Sequence, residues 1–164
     1  MVGIGSVGTH CGLALFLAEI NDPLFLQVKE AVRSVYEPYV AKSEYSHQGQ
    51  RVVEGQRIIQ SDSDIMLGWV TIDERHYYMR QIRNVNYIFN HVKANYDLLS
   101  RYARICGMAL AKAHSRSGDA AMIAGYLGKS DVFDKSLASF AKQYAKQNML
   151  DYMDLLEAVR TGRI

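Results

Sequence analysis

The stretch from Gly3 to Glu30 constrains the fold more than any other. It reads Gly3-Ile4-Gly5-Ser6-Val7-Gly8, then the apolar run Leu13-Ala14-Leu15-Phe16-Leu17, then a turn at Asn21-Asp22-Pro23. A second run, Leu24-Phe25-Leu26-Gln27-Val28-Lys29-Glu30, follows with a lysine near its end. A G-x-G-x-x-G loop lets backbone N–H groups approach phosphate oxygens without interference from Cβ atoms, and a nearby lysine adds a point charge. Glycine triplets also make ordinary turns, so the loop alone decides nothing. A loop followed by a hairpin that ends in lysine is more specific, and it has two physical readings.

In the first, a phosphate loop of protein-kinase type joins two antiparallel strands, and Lys29 on the second strand faces the phosphates. In the second, a Rossmann-type dinucleotide-binding unit of an oxidoreductase, Thr9 to Ile20 form a helix, Leu24 to Val28 a strand, and Glu30 is the ribose-binding acid. Local residues favour the first. Gly12 would sit inside the helix, Thr9 is β-branched, and Asp22-Pro23 makes a good hairpin corner. Both readings require a strand ahead of Gly3, where only Met1 and Val2 stand, so the chain is expected to be part of a longer unit.

A length of 164 residues suits one core-forming unit, and 49% of the residues are apolar, enough to fill a core. The formal net charge of +2 comes from interspersed basic and acidic residues and gives no reason to expect a nucleic-acid partner. Cys11 and Cys106 match neither a zinc spacing nor a disulfide framework, and are expected to be two reduced thiols in a cytoplasmic protein; no metal site is expected. No apolar run approaches the ~20 residues that span a membrane, so no membrane partner is expected.

After an irregular segment from Ala31 to His47, Gln50 to Gln60 reads as a short helix with Val52, Val53 and Ile59 on or near one side. Arg51, Glu54 and Arg57 recur every three residues on another side. Glu54 either pairs with its own helix neighbours, worth a few tenths of a kcal/mol, or reaches Lys29 and holds it toward a phosphate. Ser61-Asp62-Ser63-Asp64 breaks the pattern. Ile65 to Ile72 and His76 to Ile82 then read as two strands joined at Asp73-Glu74-Arg75.

From Tyr87 the character is helical. Leu98, Tyr102, Ile105, Ala109 and Ala113 follow a 3.6-residue period, and this helix is expected to end near Ser117-Gly118. Asp119 is placed to cap a helix from Ala120 to Leu127, with Gly128 as terminator. Ser130 or Asp131 caps the next helix, whose Phe133, Leu137, Phe140 and Tyr144 share a face, and a last helical stretch runs from Met149 to Arg160. These stripes are expected to be core. His114-Ser115-Arg116-Ser117-Gly118-Asp119 follows a long helix, and His114 and Asp119 are weak catalytic candidates as base and orienter. The sequence lacks the downstream asparagine and second metal-binding aspartate that phosphoryl transfer requires.

Several blocks together resemble the bacterial family called domain of unknown function 2252. They are residues 3–9, 22–31, 49–57, 63–69, Arg80-Gln81, 113–120, 125–129 and the closing Arg160-Thr161-Gly162-Arg163-Ile164, so the resemblance runs end to end. It implies a likeness to kinase-like phosphotransferases, in members more than twice this length whose extra amino-terminal part carries a catalytic loop and a metal-binding loop. On that likeness Gly3, Gly5, Ser6 and Gly8 cradle phosphates, Lys29 pairs with them and Glu54 orients Lys29. ATP and Mg would serve the full-length member. Where an Arg-Asp pair is expected after Arg80-Gln81, the sequence has Arg83-Asn84.

The expected fold is therefore α+β: a small antiparallel sheet with one helix over 1–84, resembling a kinase N-lobe, and a helical bundle over 85–164. The expected role is nucleotide binding in a phosphotransferase-like protein, without turnover by the lone chain and with an N-terminal companion segment or chain as partner. The alternatives are the Rossmann-type oxidoreductase piece and a non-enzymatic binding or scaffold domain.

Overall fold

A computed structural model of the chain describes residues 7–18, 22–60, 62–82 and 93–164. Four strands, β1 (Cys11–Leu17), β2 (Pro23–Glu30), β3 (Gly68–Ile72) and β4 (Arg75–Gln81), form one sheet in the order β1-β2-β4-β3, every neighbour antiparallel. The helices are α1 (Gln48–Ile59), α2 (Tyr96–Ser117), α3 (Ala120–Leu127) and α4 (Val132–Arg160). The architecture is α+β, as expected from the sequence. The chain divides into two compact units, Met1–Gly118 and Asp119–Ile164.

In the first unit, β1 and β2 pair from Cys11↔Lys29 to Leu17↔Pro23, so the apolar run after the glycines is a strand. The helix from Thr9 to Ile20 that a dinucleotide-binding unit needs is not formed. β-Branched Thr9 and Gly12 weaken a helix there, and the Pro23 corner turns the chain back on itself. Nor is Glu30 available as a ribose-binding acid: Oε2 accepts from the His10 amide at 2.9 Å and Oε1 from Arg75 at 2.9 Å. The β3–β4 hairpin closes through Asp73 and Glu74, both at positive φ (47° and 63°), the twist that a two-residue hairpin favours. β3 is shorter than the apolar run suggests, because Asp64 Oδ1 accepts from the Met66 amide and the Asp64 carbonyl from the Leu67 amide, folding Ile65 and Met66 into a turn.

Helix α1 lies on β3 and β4. It approaches the sheet closely at Gly49, where a Cβ would come 2.2 Å from the Tyr77 carbonyl oxygen. Val53, one turn on, is 0% exposed, and Leu26, Ala31, Leu67 and Tyr77 complete the buried apolar residues of the sheet region. Helix α2 begins at Asn95, whose side chain accepts from the Leu98 amide at 2.9 Å, and it meets α1.

In the second unit, Asp119 caps α3 and Gly128 ends it, as the sequence predicts. The two helical stretches expected beyond it are one 29-residue helix, α4, because Ala145-Lys146-Gln147-Asn148 contains no breaker. Asp131 stands at its N-cap without a side-chain cap bond and pairs with Lys135 instead.

The apolar stripes of α2 and α4 are not core. Only Ala113 and Ala158 are buried on these helices, while Ile105 and Phe140 are both 61% exposed. Periodicity records which side of a helix requires cover; it does not supply the cover.

The Gly49 contact makes a paired prediction. Gly49→Ala forces α1 off the Tyr77 carbonyl and should cost about 3 kcal/mol in urea unfolding. Gly55→Ala in the same helix meets open space and should add up to about 1 kcal/mol of stability.

Candidate functional site

Side chains alternate across a strand, so the register sorts the sheet into two faces. Cys11, Lys29, Tyr78 and Trp69 form one row across all four strands on one face. Thr71 and His76 share that face, and α1 covers it: His47 Nε2 lies 3.1 Å from Thr71 Oγ1, and the Arg57 guanidinium lies 5.9 Å from the centroid of the Trp69 ring. Glu30, Arg75 and Tyr77 lie on the opposite face, where His10 Nδ1 meets the Tyr77 hydroxyl at 3.3 Å. Lys29 therefore rises on the helix-covered side of the sheet. Tyr78, next to it, is pushed above the usual phenol range by burial.

Gly8 precedes this row. Its φ of +74° is the left-handed conformation that glycine adopts without a Cβ penalty. Pairing extends beyond β1 through the Glu30 amide, which donates to the His10 carbonyl at 2.8 Å. The glycine turn thus delivers the chain at the Lys29 end of β2. Gly3, Gly5 and Ser6 lie outside the described residues, as do Arg83 and Asn84.

Glu54 stands on α1 and pairs with Arg57 one turn on, Oε1 to Nη1 at 2.8 Å. Arg57 also donates to the Leu67 carbonyl at 3.3 Å. The structure places Lys29 and Glu54 on the same side of the sheet without an ion pair between them.

The remaining sequence candidates lie at the end of α2 and the start of α3. His114 lies in the last turn of α2, exposed, with its carbonyl accepting from the Gly118 amide. Helix α2 continues through Ser117, so the segment that holds the weak catalytic candidates His114 and Asp119 is largely helical. Within it Arg116 donates to the Ile58 carbonyl at 2.7 Å and the Gln60 carbonyl at 2.9 Å, closing the C-terminus of α1. Asp119 Oδ1 accepts from the Ala121 and Met122 amides, both at 2.9 Å. Among the described residues, no group of three or more histidine, cysteine, aspartate or glutamate side chains could hold a metal ion, and no helix is long and apolar enough to cross a membrane. Cys11 and Cys106 are unpaired and exposed.

One feature of the site had no clear sequence signal. His47 is the N-cap of α1: Nδ1 accepts from the Gln50 amide at 3.2 Å, and its ring stacks on His76 at 3.9 Å between centroids. Capping residues are usually Ser, Thr, Asp or Asn, so a histidine before a polar Gln48-Gly49-Gln50 carries no such mark.

A family described as "Uncharacterized protein conserved in bacteria (DUF2252)" matches residues 1–158. No curated protein and no solved structure matches the chain.

The capping bonds set the effects expected of substitution at Asp119 and Arg116. Asp119→Ala should cost about 1 kcal/mol of thermal stability and Asp119→Asn far less. Arg116→Ala, which leaves the Ile58 and Gln60 carbonyls without their charged donor, should cost about 1–2 kcal/mol.

Proposed function

We infer that this chain, which belongs to the DUF2252 family of uncharacterised bacterial proteins, binds the phosphates of a nucleotide as part of a kinase-like phosphotransferase. The observation that carries this reading is the register. The turn at Gly8 leads into a strand, and Lys29 lies on the next strand at the same end of the sheet, on the face that α1 covers. In such an arrangement Lys29 supplies a point charge to phosphate oxygens, while Gly3, Gly5, Ser6 and Gly8 supply backbone donors. Glu54, on the helix above that face, is the residue that would orient Lys29. ATP with Mg is the ligand of this reading. The acids that would bind the metal and activate an acceptor come from a companion segment or chain, so this chain binds without turnover.

The second reading is a scaffold that keeps the fold and contacts another chain. The exposed apolar stripes of α2 and α4 favour it.

Thermal unfolding with ATP–Mg and with NAD separates the readings. A ligand at ~100 times its dissociation constant adds roughly 2.7 kcal/mol, which raises Tm by several degrees for a chain of this size. ATP–Mg should raise Tm, NAD should not, and Lys29→Ala should abolish most of the ATP–Mg shift. No shift with ATP–Mg, or a shift that survives Lys29→Ala, would overturn the nucleotide reading. Magnesium-dependent ATP hydrolysis by the chain, lost in Lys29→Ala, would overturn binding without turnover.

A further inference from the structure

We propose that His47 and His76 form a pH-sensitive latch that fastens the N-terminus of α1 to the β3–β4 hairpin and releases it on acidification. Both rings use Nδ1 to accept from a backbone amide of the helix start: Gln50 donates to His47 at 3.2 Å and Gln48 to His76 at 3.0 Å. An amide nitrogen can only donate, so each Nδ1 is unprotonated and the ring hydrogen sits on Nε2. For His47, Nε2 then donates to Thr71 Oγ1 at 3.1 Å. The two rings stack with centroids 3.9 Å apart and planes 22° from parallel.

Protonation acts against this arrangement twice. An imidazolium Nδ1–H points a donor at an amide N–H, removing a cap bond and leaving two donors opposed. Charging both rings also places two cations in stacking contact. Among the described residues, no carboxylate is ion-paired with either ring. Arg51 of α1 is turned to Gln48 Oε1 and the Val32 carbonyl. β3 presents the Thr71 hydroxyl and the Val70 backbone. Of β4, Arg75 is paired with Glu30 on the opposite face. β2 contributes Lys29, which shares the face of His76 and is itself cationic. Asp73 and Glu74 occupy the hairpin turn beyond Thr71.

The titration of His47 agrees in direction. Burial, and then His76, hold it below its ordinary value of 6.5, and its bond to the Val70 backbone opposes them only in part. A histidine depressed in the folded state binds fewer protons there than when released. Its contribution is therefore complete above pH ~6.5 and is lost as the pH falls through the folded value.

The latch is independent of the nucleotide reading, and amide hydrogen exchange on the full chain tests it. Protection factors, which remove the intrinsic pH dependence of exchange, should fall several-fold at Gln48 and Gln50 between pH ~7.5 and ~5.5. The Gln60 amide, bonded to the Gln56 carbonyl at the other end of α1, should hold its protection. Unchanged protection at Gln48 and Gln50 would overturn the proposal, as would an equal fall at Gln60, which reports global unfolding. The double variant His47→Asn, His76→Gln keeps acceptors without titrating and should flatten the pH dependence. Ring-nitrogen chemical shifts of the unmodified chain give an answer that needs no variant. At pH ~8 both rings should be neutral with the hydrogen on Nε2; an Nδ1–H form of either ring would overturn the proposal.

Discussion

The placement of α1 rests on one close backbone approach. At Gly49 the helix comes so near the Tyr77 carbonyl that any side chain would collide with it. That approach brings Val53 down onto the sheet, where it is wholly buried, and it brings the first amides of α1 within reach of His47 and His76. A helix leaves four amides and four carbonyls without partners at its ends. Here the amides at the start meet imidazole nitrogens, and carbonyls at the finish meet Arg116 from α2. The helix is thus fixed at its two ends by polar groups and in its middle by apolar contact. Between those ends Glu54 pairs with Arg57, which lies over the Trp69 ring.

Much of this order was legible in the sequence because the responsible signals are local. Pro23 after Asp22 marks the first hairpin, Asp73-Glu74 the second, and Asp119 and Gly128 bracket α3 almost residue for residue. The glycine loop left two folds open, and the strand at Cys11–Leu17 decides against the helix from Thr9 to Ile20. What was not legible depends on contacts distant in sequence. His47 caps α1 only because the hairpin holds His76 and Thr71 against it. Arg116, grouped by sequence with a possible catalytic loop, instead reaches back more than fifty residues to the carbonyls of α1. Glu54 had two readings, and its partner in the structure is the near one, Arg57.

The helical stripes mark a different boundary between pattern and packing. Leu98, Ile105 and Leu110 on α2, and Leu137, Phe140 and Tyr144 on α4, keep the spacing of a buried face while remaining exposed. Hydrophobic surface left in water is unfavourable by roughly 25 cal/mol per Å², and contiguous patches of this kind are uncommon on isolated domains. The pattern states a demand for cover that the described residues do not meet. Ala113 is the exception on α2: it is buried, three residues before the Arg116 that bonds the end of α1.

Whether Glu54 can serve Lys29 is a question of magnitude. Its present partner, Arg57, is three residues away on the same helix, with 41% of the Arg57 side chain and 26% of the Glu54 side chain exposed. Exposed pairs of this spacing contribute only about 0.3–0.5 kcal/mol, so leaving Arg57 costs Glu54 little. Arg57 would keep its bond to the Leu67 carbonyl and its place over Trp69. Lys29 and Trp69 flank half-buried Tyr78 in one row across the sheet, and Arg57 lies over the Trp69 ring. A polyanion at the glycine turn would draw Lys29 toward itself, and a carboxylate held nearby would restrain the ammonium group between two acceptors. On the proposed reading, the weakness of the Glu54–Arg57 pair is what would let one glutamate serve as a surface partner without ligand and as an orienting partner with it.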